Sequence, residues 1–153
     1  MLDAADALSS AAIEALSVLN DATTRFSPDD YILEQGGYGD LPLHDALVLR
    51  QLLVLARAPL DQAHRAQSRI GLLFGHASAA GSHSRHLVTQ LRHVLEVMSE
   101  ERPGEFSYAR NEFLKAAGAH EEFGRAARGA IEKPRLARTR RRWRTRHDAA
   151  QFR

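Results

Sequence analysis

Seven arginines and one tryptophan crowd into a short stretch near the end of the chain: Arg135, Arg138, Arg140, Arg141, Arg142, Trp143, Arg144 and Arg146. A guanidinium is planar, permanently charged, and matches phosphate with paired hydrogen bonds. Cations at this density suit the phosphate backbone of a nucleic acid, where each contact releases condensed counterions. The indole of Trp143 adds a flat face on which an unpaired base can stack. The same cations also fit an acidic protein, or the acidic first third of their own chain. Residues 1–49 hold nine acids and the single base Arg25, a net −8; residues 50–133 are +3 and residues 134–153 are +7. A total of +2 therefore hides a molecule with electrically opposite ends. Such asymmetry signals a charged partner without identifying it.

The acidic end has its own candidate surface. Asp29, Asp30, Glu34 and Asp40 surround Tyr38 in the glycine-rich run Gly36-Gly37-Tyr38-Gly39. Exposed tyrosine is a common interface anchor, so this loop is expected to be able to meet a basic surface.

Histidines offer a second chemistry. His83, His86 and His93, with Gln90, fall on one flank of a predicted helix. Positions 86 and 93 stand about two turns apart, roughly 10 Å, so no three ligands within that helix close on one ion. No metal and no cofactor are expected. His120-Glu121-Glu122, with Glu112 on the same predicted helix, could form an acid–base group, but its simpler reading is a solvated acidic patch beside a packed histidine. There is no cysteine, which excludes thiolate catalysis, disulfides and cysteine-ligated metals. Gly36-Gly37-Tyr38-Gly39 follows no strand and has no lysine, so it is no phosphate loop. No catalytic constellation is recognised, and a non-enzyme is expected.

His76-Ala77-Ser78-Ala79-Ala80-Gly81, followed by Leu87, Leu95 and Glu96, resembles the histidine phosphotransfer bundles over this short stretch. The resemblance implies a phosphate-accepting His76. The sequence departs from that pattern: Gly75 precedes the histidine, no lysine follows it, and Gly81 lies too far on.

These residues need elements to hold them. Ala5, Leu8, Ala12, Leu16 and Leu19 repeat at helical steps and predict a first helix over 2–24. Ser27-Pro28-Asp29-Asp30 is a helix start, giving a short helix over 28–35 that ends at Gly36-Gly37. Leu47, Val48, Leu49, Leu52, Leu53, Val54 and Leu55 surround most of a helix over 43–57, which should be the buried hub. Pro59 should stop it and start another over 60–74, the two forming an antiparallel hairpin. Leu87, Leu91, Val94, Leu95 and Met98 mark a helix over 83–101, broken by Arg102-Pro103-Gly104. Phe106, Phe113, Phe123, Ala127 and Ile131 line one over 105–132, with a kink or break expected near Gly118. No strand is expected. In the last stretch Leu136, Trp143 and Ala150 are seven apart, a spacing compatible with a helix.

The expectation is an all-α, single-domain bundle of five to six helices over 1–133, followed by a basic tail over 134–153. The first residues carry acid where an export signal carries base, and the longest apolar run, Leu52 to Ala56, is too short to span a membrane. A cytoplasmic location and no membrane partner are expected. The function expected is non-enzymatic binding of a nucleic acid or nucleoprotein complex. Small size, two-ended charge and the lack of catalytic motifs also fit a phage- or mobile-element-type inhibitor of a host nucleoprotein machine, anti-CRISPR-like, although no motif of such a family is present. Alternatives are a helical scaffold or oligomerisation protein binding an acidic protein, or a histidine-based phosphotransfer or metal-binding bundle.

Overall fold

The computed structural model describes residues 2–26, 41–102 and 105–151, with side chains described as far as Glu132. Those residues form an all-α bundle of four helices: α1 Leu2–Arg25, α2 Leu43–Phe74, α3 Ala79–Ser99 and α4 Phe106–Gln151. They pack in a ring in which α1 meets α2, α2 meets α3, α3 meets α4 and α4 closes on α1. None of these helices is long and apolar enough to cross a membrane.

The expected five or six helices are therefore corrected to four among the described residues. The main revision is at Pro59, which lies inside α2 and separates nothing. An interior proline removes one backbone hydrogen bond and costs about 3 kcal/mol. The apolar stripe outweighs it: Leu49, Leu53, Ala56, Leu60, Ala63 and Ile70 are all buried, in phase on both sides of the proline. Breaking the helix there would throw one half of that stripe out of register. The proposed hairpin at Pro59 is accordingly withdrawn. The predicted helix over 28–35 lies outside the described residues.

A second correction concerns the hub. The first half of α2 leaves Leu43, Leu47, Val54 and Leu55 exposed, Leu43 by 75%. The helices in contact with all three others are α1 and α3. The inner face of α1 is mostly alanine: Ala4, Ala5, Ala11, Ala12, Ala15 and Ala22 are buried around Leu8 and Leu19. Alanine has the best helix propensity and its small side chain permits close approach.

The corners use local chemistry. Gly75 ends α2 with φ +83°, a left-handed conformation suited to glycine, and its N–H bonds the Gly71 carbonyl. Ser78 caps α3, accepting from the Gly81 N–H at 3.0 Å while its hydroxyl donates to the Gly75 carbonyl. Beyond α3, Glu101 adopts a left-handed φ of 54° and is gripped by both arms of the Arg50 guanidinium from α2, with Nη2 2.8 Å from Oε2. That hydrogen-bonded pair holds the Glu101 carboxyl below its ordinary value. In α4, Phe106, Phe113, Phe123 and Ala127 are buried as their spacing requires. The helix runs through Gly118 without the break that was one of the two outcomes expected there.

Candidate nucleic-acid interface

The sequence singled out α4 twice, for its aromatic inner face and for the arginines that follow. The structure joins them. A single helix contains the inward-facing phenylalanines and continues through Arg135, Arg138, Arg140, Arg141, Arg142, Trp143, Arg144 and Arg146 to Gln151. The side chains of those eight lie outside the described residues, as do Asp29, Asp30, Glu34, Tyr38 and Asp40 in full.

The anchored half of α4 has two polar seams. Toward α1, His120 Nε2 lies 3.0 Å from the Ser9 hydroxyl. Ten residues earlier, Arg110 Nη1 donates to Asn20 Oδ1 at 3.0 Å and Thr23 Oγ1 at 3.1 Å, and its guanidinium lies 5.0 Å from the centroid of the Phe113 ring. Burial pushes the His120 imidazole below its ordinary value of 6.5, with the neighbouring Glu121 acting the other way.

Toward α3, histidines stand opposite carboxylates. His83 Nδ1 stands 3.5 Å from Glu122 Oε2, and His93 Nε2 stands 3.0 Å from the Tyr108 hydroxyl and 3.9 Å from Glu112 Oε2. Glu112 is only 3% exposed, and the Lys115 ammonium reaches in to donate to it. That hydrogen bond holds Lys115 above its ordinary value. The three histidines do not converge: His83 and His93 look to different carboxylates and His86 is exposed. Among the described residues, no three His, Asp or Glu side chains gather as a metal site. Sequence reasoning missed the Tyr108–Glu112–Lys115 group, although its four- and three-residue spacing on one helix was a visible signal.

The two seams fix the register of α4. Ser9 opposite His120, and Asn20 opposite Arg110, make α1 antiparallel to it; His83 and His93 do the same for α3. Stepped one residue for one, Leu2 falls opposite about residue 127 and Ala79 opposite about residue 126 of α4. The helix continues to Gln151, so it outruns both neighbours by about 24 residues, or roughly 36 Å. The arginine positions all fall within this overhang.

The chain matches no protein-family model, no curated protein and no solved structure.

Proposed function

We propose that this protein is a non-enzymatic binding module that engages a nucleic acid or nucleoprotein complex through the arginine-rich end of α4. The observation that carries the reading is the overhang. Cations on a helix that extends past its neighbours can approach a polyanion without the bundle colliding with it. Positions 135, 138, 142 and 146 recur at helical spacing, while 140 and 144 belong to the opposite side of a helix. Charge distributed around the axis suits a ligand with phosphates on both sides, as a groove or a wrapped strand provides.

The test is binding of DNA and RNA oligonucleotides to the full chain and to a chain truncated after Lys133. Affinity for the full chain should fall steeply with salt, since each phosphate contact contributes close to one unit of slope. The truncated chain should lose binding. If it binds unchanged, the arginine segment is not the interface. Trp143→Ala separates stacking from charge: a loss confined to single strands assigns the indole to a base.

A further inference from the structure

From Gln62 to Leu95 the chain contains no aspartate or glutamate, yet it carries Arg65, Arg69, Arg85 and Arg92 and several histidines. This stretch forms the second half of α2, the turn and most of α3. On the side of α3 facing α4, Glu112 and Glu122 supply carboxylates to the histidines. On the side facing α2 lies an open cleft of about 560 Å³ lined by Gln67, Ser68, Leu72, His76 and Arg85, none of them acidic.

Gln67 is the telling member. It occupies the α2 stripe between Ala63 and Ile70, where an apolar residue belongs, and is only 8% exposed. It also lines the cleft, and its amide atoms are not among the buried groups left without a partner, so the carboxamide meets solvent there. An amide at the wall of a cleft is a donor and an acceptor offered to an occupant. His76 is placed with similar care. Its ring lies so close against Gly71 that a Cβ there would stand 2.3 Å from Cε1, so any larger residue would displace it. Arg85 Nη2 reaches the His76 carbonyl at 3.4 Å, one long bond that leaves most of the guanidinium donors for a ligand. The Ser68 hydroxyl already donates to the His64 carbonyl, so toward the cleft it is an acceptor. Leu72, 82% exposed, adds an apolar surface.

We infer that this cleft binds the phosphate ester of a nucleotide. Arg85 and His76 would meet the phosphate, Gln67 and Ser68 the hydroxyls of the sugar, and Leu72 the apolar part of the ligand. The ester is either a free nucleotide or one unit of a strand; in the second case the inference rests on the function proposed above.

The experiment follows backbone amide resonances of the full chain during separate titrations with inorganic phosphate, a nucleoside monophosphate and a single-stranded oligonucleotide. Saturable shifts at Gln67, Ser68, His76 and Arg85 with at least one of them are expected. Saturation by the monophosphate assigns a free nucleotide, and saturation by the oligonucleotide alone assigns a strand. Arg85→Gln, at an exposed position, should weaken the interaction about tenfold with helix content unchanged. No saturable shift at these amides with any ligand, or unaltered affinity in Arg85→Gln, overturns the inference. An oligonucleotide that moves only residues 134–151, with no saturable cleft shift from phosphate or the monophosphate, ends the cleft proposal and keeps the arginine interface. One that moves only the cleft supports this site and ends the other reading.

Discussion

Two seams run along the same half of α4, and they are built from different chemistry. Toward α1, each polar group of α4 meets a neutral partner: Arg110 meets Asn20 and Thr23, and His120 meets Ser9. Toward α3, histidines and a lysine meet carboxylates. The α1 seam lies beside a face of buried alanines, and Arg110 reaches across it to amide and hydroxyl oxygens. In the α3 seam the His93 and His83 side chains are about 40% exposed, while the carboxylate of Glu112 is buried beneath them. The lesson is that one helix can be positioned geometrically on one side and electrostatically on the other. The first should respond to loss of shape and of hydrogen-bond partners, the second to salt.

That contrast can be broken most sharply at Arg110. Arg110→Ala removes two well-formed charge-assisted hydrogen bonds, leaves the buried Thr23 hydroxyl without its cation, and strips the Phe113 ring. A loss of about 2 kcal/mol in denaturant unfolding is expected, nearly independent of salt. A loss that vanishes in 1 M salt would mean that this seam is electrostatic after all.

Gly124→Ala tests the helix apart from its seams. A Cβ at Gly124 would meet nothing within 4 Å. Alanine should therefore stabilise the protein by about 0.5–1 kcal/mol through backbone entropy and propensity alone. Destabilisation would show that α4 is closer to a neighbour there than its register implies.

The smallest effect belongs to His120, which is partly exposed and whose burial is opposed by Glu121. Its folded value lies below 6.5, so on acidification the unfolded chain takes up this proton first. The contribution is complete above pH 6.5 and is lost as pH falls from there through the folded value. His120→Gln should flatten the acid side of the stability–pH curve relative to the parent chain. Superimposable curves would remove the neutral imidazole from the account of the α1 seam.

Much of this architecture was legible in the residues. The spacing of Leu87, Leu91, Val94 and Met98, and of Phe106, Phe113, Phe123 and Ala127, marked the inner faces of α3 and α4, and Pro103-Gly104 marked the corner between them. Pro59 misled because a local rule was set against a longer-range one. The stripe from Leu49 to Ile70 was already in phase across the proline, and tertiary burial exceeds the cost of one lost hydrogen bond. Leu47, Val54 and Leu55 misled because hydrophobicity does not say which side of a helix finds a neighbour. The polar seams were hidden for another reason. Ser9 and His120 are separated by most of the chain, and no local pattern announces a pair that topology alone brings together.

A last consequence follows from α4 being one helix from Phe106 to Gln151. Anchor and overhang share a single phase. Inserting one neutral residue between the anchored half and Arg135 would turn every arginine position about 100° around the axis and advance it about 1.5 Å, leaving the charge the same. Inserting seven would nearly restore the direction, within about 20°. The direction in which the arginine segment presents itself is thus set by Arg110 and His120, far back along the helix.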